Sequence, residues 1–67
     1  MEHLFIEGTL YHKDAVKGMS VIIKEWDGTF NLVNIVSVEG DVIAIDYPDK
    51  RQTMDVMAFQ EIAVRRK

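Results

Sequence analysis

The clearest pattern in the chain is alternation. Met19, Val21 and Ile23 alternate with Ser20, Ile22 and Lys24 ahead of an Asp27-Gly28 pair, and a longer apolar-rich run follows. Period-two spacing sends successive side chains to opposite faces of a strand. Asp-Gly between two such runs is the strongest short hairpin signal, because both residues tolerate the positive φ of a tight turn. In the second run Phe30, Leu32, Val36 and Val38 share one parity, and Val33 and Ile35 the other. Glu39-Gly40-Asp41 marks a second turn, and Val42 to Tyr47 reads as a third strand. Pro48 to Gln52 reads as a polar loop, since proline cannot continue a paired central strand. From Gly28 to Gly40 is twelve residues and from Gly40 to Asp49 is nine, a spacing of short strands that suggests a sandwich or barrel. β-branched residues fill all three runs, which favours strand over helix.

Two segments allow two readings. Residues 9–17 hold Leu10, Tyr11, Ala15 and Val16, which do not sustain a helical stripe, so strand or loop is preferred to a helix between Thr9 and Gly18. In residues 55–66, Asp55 could cap a helix with Val56, Phe59 and Ala63 on one face. The preferred reading there is a strand through Met54–Met57, a tight turn over Ala58–Glu61 and a last strand Ile62-Ala63-Val64.

Length narrows the architecture. At 67 residues the chain is one domain, with a barrel core over about 18–64 and residues 1–17 as an N-terminal extension or extra strand. A domain of this size buries only about 60% of its unfolded surface. With 48% apolar residues the chain is too hydrophobic for disorder, and a second copy or a partner is expected to cover the surplus. There is no cysteine, so disulfides and thiolate metal sites are excluded. Met1 to Glu7 lacks a basic segment leading into a long apolar run, and the reading is a cytoplasmic protein without a membrane partner. Eleven acids against eight bases give a field that does not attract polyanions. Small strands close their exposed edges by curling into a barrel. The predicted fold is therefore all-β, a small five-stranded antiparallel barrel of the SH3-like or Sm-like kind.

From Gly18 to Ile62 the residues resemble a Tudor domain: Gly18, Val21, Trp26, Asp27-Gly28, Phe30, Ile35, Val38, Val42, Ile45, Asp46-Tyr47, Val56 and Ile62. Tudor domains place an Asp-Gly turn after an aromatic-bearing first strand and Asp-Tyr at the end of the third. Pro48-Asp49 here replaces the Gly-Asn that follows. Val21 to Ile45 is also similar, without gaps, to the Sm/Hfq family, with Val33 in place of the glycine that bends the second Sm strand. The Tudor resemblance implies a cage of Trp26, Phe30 and Tyr47 for methylated lysine or arginine, with Asp27, Asp46 and Asp49 suited to a cation. The Sm resemblance implies an oligomer binding RNA or single-stranded DNA.

The chemistry expected is binding rather than catalysis. The leading reading is an interaction module or regulatory adaptor that takes a protein or peptide through Trp26, Phe30, Tyr47, Asp27 and Asp46. The alternative is nucleic-acid binding through Lys50, Arg51, Arg65, Arg66 and Lys67, with the aromatic rings stacking on bases. Self-association accompanies either one. His3 and His12 lack partners at ligand spacing, so no metal or cofactor is expected. Glu25, Asp27, Asp46 and Asp55 could form an acid–base pair only in a pocket that a chain this short does not build alone. Met19, Met54 and Met57 are expected to fill core gaps.

Overall fold

The computed structural model describes residues 2–66, with 63–66 described by their backbone. Seven strands and one short helix follow in order: β1 (His3–Ile6), β2 (Thr9–His12), a 3-10 turn (Lys13–Ala15), β3 (Ser20–Lys24), β4 (Phe30–Glu39), β5 (Val42–Asp46), β6 (Arg51–Asp55), α1 (Val56–Ile62) and β7 (Ala63–Arg66). The fold is mostly β. β1 and β2 form a hairpin, and the other strands form one antiparallel sheet in the order β6-β5-β4-β3-β7. Among the described residues no pairing joins β6 to β7, so the hydrogen-bonded order is open, with these two as its edges.

The three predicted runs form consecutive hairpins, but the parity of the second does not persist. Pairing of β4 with β5 steps from Ile35↔Ile45 to Ser37↔Ala44, which leaves Val36 as an extra residue. A bulge of this kind bends the strand and exchanges its faces. Val33 and Ile35 are buried before it and Val38 after it, while Phe30 and Leu32 point away from the core. Val38 thus leaves the group it shares with Phe30 in the sequence. The bend lets the long strand β4 remain over the same core.

The core is one cluster: Val21 and Ile23 of β3, Val33, Ile35 and Val38 of β4, Ile43 and Ile45 of β5, joined by Leu4, Ile6, Val16, Val56 and Phe59. The N-terminal segment is therefore more than an extension. Its hairpin turns at Glu7-Gly8, both at positive φ (54° and 77°), the backbone of a tight two-residue loop. Alternation along β1 then buries Leu4 and Ile6 and exposes His3 and Phe5.

The C-terminal third corrects the preferred reading. The strand begins at Arg51, inside the predicted loop, and ends at Asp55. Met57 is not strand, and the expected turn over 58–61 lies within a helix over Val56–Ile62. The Asp55 carboxylate accepts from the Met57 backbone N–H at 2.8 Å and so caps the helix. Val56 and Phe59, three apart on one face, are fully buried. Met57 is 65% exposed and fills no core gap, while Met19 and Met54 pack partly buried against the core. The helix carries the chain from one edge of the sheet to the other, and β7 pairs there with β3. None of the helices among the described residues is long and apolar enough to cross a membrane.

Candidate functional site

The inner face of the sheet is apolar at its centre and turns polar at one end. There Asn31, Tyr47, Gln52 and Met54, on the same parity as the buried Val33 and Ile45, meet the β3–β4 loop and the end of α1 at Ile62. Together with Glu25, Trp26, Asp27, Asp49 and Lys50 they surround a cavity of about 440 Å³ that opens to solvent.

Its polar wall is three side chains joined by a pair of hydrogen bonds. The Tyr47 hydroxyl donates to Glu25 Oε1 at 2.9 Å, and the Asn31 amide donates to the same oxygen at 3.1 Å. Both bonds fall on one carboxylate oxygen, which leaves Oε2 outside them. Burial, then the hydrogen bond to Glu25 and its negative charge, push the Tyr47 phenol from 10.0 up to about 12. Tyr47 therefore stays a neutral donor at physiological pH.

Two loops form the mouth. In the β3–β4 loop, Glu25 N–H donates to Thr29 O at 2.7 Å and Gly28 N–H to Glu25 O at 3.0 Å, with Gly28 at φ 90°. Asp27 Oδ1 accepts both the Thr29 N–H (3.0 Å) and the Thr29 hydroxyl (2.7 Å), which holds the Asp27 carboxyl below its usual range. At the tip of this braced loop, Trp26 is 97% exposed. In the β5–β6 loop, Tyr47 N–H donates to Lys50 O at 2.7 Å, and the Lys50 ammonium lies 5.2 Å over the Tyr47 ring centroid, within cation–π range. Three carboxylates, Glu25, Asp27 and Asp49, thus share the cavity with one ammonium.

The structure divides the residues proposed from sequence. Trp26, Asp27, Tyr47 and Asp49 line the cavity; Phe30 and Asp46 do not. Phe30 lies on the outward parity of β4 and is 60% exposed, so it cannot complete a cage with Trp26 and Tyr47. Asp46 also faces outward, where its carboxylate accepts Arg51 Nε at 2.7 Å and Nη2 at 3.2 Å. That fork holds the Asp46 carboxyl below its usual range, the hydrogen bond from Arg51 being the largest cause. Lys50 and Arg51, adjacent in sequence, fall on opposite faces of the sheet and form no joint basic patch. The backbones of Arg65 and Arg66 lie in β7, at the other end of the sheet order from Arg51 in β6. Lys67 and the side chains of Arg65 and Arg66 lie outside the described residues.

Glu25 and Asn31 are the residues that sequence reading passed over as ligand contacts. The available signal was parity: Glu25 stands two residues after the inward Ile23 and Asn31 two residues before the inward Val33, each just outside the buried stretch. The carboxylates considered for acid–base work do not pair: Asp46 binds Arg51, Asp55 caps α1, and Asp27 braces its own loop. His3 and His12 face each other across β1 and β2, ring centroids 5.2 Å apart and edge to face. Among the described residues no three His, Cys, Asp or Glu side chains gather as a metal site.

Comparison with protein-family models, with curated proteins and with solved structures finds no match for this chain.

Proposed function

We propose that this chain is a non-catalytic interaction module that binds a protein or peptide segment in the cavity between the β3–β4 and β5–β6 loops. The observation that carries this reading is Trp26, a large apolar ring left 97% exposed on a hydrogen-bonded loop at the edge of a concave, polar-walled site. Tryptophan is the residue most enriched among energetic anchors of protein interfaces. A ring held out by a braced loop loses little further freedom on binding. Opposite it, Tyr47, Glu25 and Asn31 supply an acceptor and an aromatic face already in place.

The sheet order, with the last strand beside the first of the meander, is the order a small SH3-like barrel takes when its edge strands curl together. We adopt that barrel as the architecture of the module. The exposed pair Phe5 and Leu10, side by side on the N-terminal hairpin, supports self-association as well.

The nucleic-acid alternative is weaker, since Arg51 already spends its guanidinium on Asp46 and three carboxylates flank Lys50. A titration followed by Trp26 fluorescence separates the two. Short peptides should change the emission, with an affinity that varies little between low and high salt. Single-stranded oligonucleotides should leave it unchanged. An oligonucleotide response whose affinity falls steeply with salt would overturn the proposal.

A further inference from the structure

We infer that Lys50 is a tethered stand-in for the ligand, and that the side chain which displaces it from Tyr47 is an arginine of the incoming segment. This rests on the peptide-binding reading above and assigns the chemistry of its central contact. The cavity already holds a cation on its aromatic face, at 5.2 Å from the Tyr47 centroid. That cation comes from a side chain whose own backbone is pinned to Tyr47 through the Tyr47 N–H to Lys50 O bond of 2.7 Å. The main chain therefore keeps the ammonium near the ring, while the exposed side chain is free to swing out.

The remaining groups favour a second and better cation. Glu25 takes its two hydrogen bonds on Oε1 and Asp27 takes its two on Oδ1, so each presents its other oxygen as an acceptor. Asp49 accepts from no donor among the described residues and lines the same cavity. Held over the ring, the Lys50 ammonium forms no ion pair with these carboxylates among the described residues. A guanidinium offers five donors in a plane, pairs with carboxylates in a fork, and stacks on aromatic faces. Trp26 beside the cavity supplies a second such face. An incoming lysine would only exchange one ammonium for another that its tether holds at millimolar effective concentration. Displacing Lys50 costs every incoming cation the same, so the preference for arginine rests on its fork and its stacking plane.

The test compares the full chain with Lys50→Gln and with Lys17→Gln, which makes the same charge change outside the cavity. The probe is the blocked pentapeptide Gly-Ser-Arg-Ser-Gly and its lysine counterpart, titrated at millimolar concentration by NMR at fixed ionic strength. Lys50→Gln should tighten the arginine peptide by about two- to fivefold, the worth of an exposed cation–π contact, and the lysine peptide by the same factor, because both must displace Lys50. Lys17→Gln should change neither. In the wild type, the Lys50 Hε resonances, displaced by the Tyr47 ring, should return toward their free values as the peptide saturates. If the wild type binds and Trp26→Ala weakens it, but Lys50→Gln binds equally or less well and the Hε resonances stay put, the stand-in is refuted and the pocket stands. If neither peptide shifts Trp26 or Tyr47 in any form of the protein, both readings fall.

Discussion

Tyr47→Phe isolates the bond that organises the cavity wall. The substitution deletes one hydroxyl and keeps the ring, so Lys50 retains its aromatic face and Glu25 retains Asn31. A hydrogen bond to an ionised group contributes about 1.5–3 kcal/mol. The shift of the phenol from 10.0 to about 12 sets a separate ceiling of about 2.7 kcal/mol. Burial is its largest cause, so the bond to Glu25 accounts for only part of it, and partial exposure screens that part further. About 1 kcal/mol is expected, equivalent to about 4–8 °C in Tm for a domain of this size. The pH dependence fixes the sign. The folded-state pKa lies above the unfolded value, so the Tyr47 contribution is complete below pH 10 and is lost as pH rises toward 12. Wild type and Tyr47→Phe should therefore differ by a constant amount from pH 7 to 9 and converge above that. Glu25→Gln and the double variant complete a cycle with a coupling of about 1 kcal/mol. Urea unfolding should be followed by far-UV circular dichroism, because a fully exposed Trp26 reports little of folding. A difference below about 0.3 kcal/mol at pH 7, or one that persists unchanged at pH 12, would refute this account of the wall.

Three further outcomes follow from the same geometry. Trp26→Ala should leave stability within about 0.5 kcal/mol of wild type in urea melts, since the ring buries almost nothing. Phe59→Ala should cost about 3–5 kcal/mol, comparable with the whole stability of roughly 3–10 kcal/mol for a chain this short, and leave a largely unfolded spectrum. Phe59→Leu should stay folded with a loss of about 1.5 kcal/mol or less. By carboxyl NMR, Asp46 should titrate below 3.8, and Arg51→Met should return it to that value.

The parts of the fold that were legible are those set by neighbours in sequence. β3, β4 and β5 carry long alternation on either side of Asp27-Gly28 and Gly40-Asp41, so their existence and antiparallel order follow from the residues themselves. The bulge at Val36 was not legible, because apolar residues stand on both parities of β4 (Leu32 and Val36 on one, Val33 and Ile35 on the other) and only the partner strand decides. The helix over Val56–Ile62 spans two turns, too short for a periodic signal to outweigh the strand-like Met54-Asp55-Val56-Met57. The first hairpin was hidden by Glu7, a residue that tight turns with positive φ seldom use. In the candidate site, proximity of Trp26 and Tyr47 followed from hairpin geometry, whereas the faces did not. Phe30 and Asp46 lie one step from inward positions, and one step reverses the side of the sheet. The Arg51 fork on Asp46 depends on a cross-strand register over the β5–β6 loop that composition does not specify.

The assignment of recognition to the Trp26 rim is tested most directly by calorimetric titration of one arginine-containing peptide into wild type, Trp26→Ala and Phe30→Ala. The account predicts at least a tenfold loss of affinity for Trp26→Ala, about 1.4 kcal/mol or more, and wild-type affinity for Phe30→Ala on the opposite face. Undiminished binding by Trp26→Ala, or an equal loss in Phe30→Ala, would contradict it.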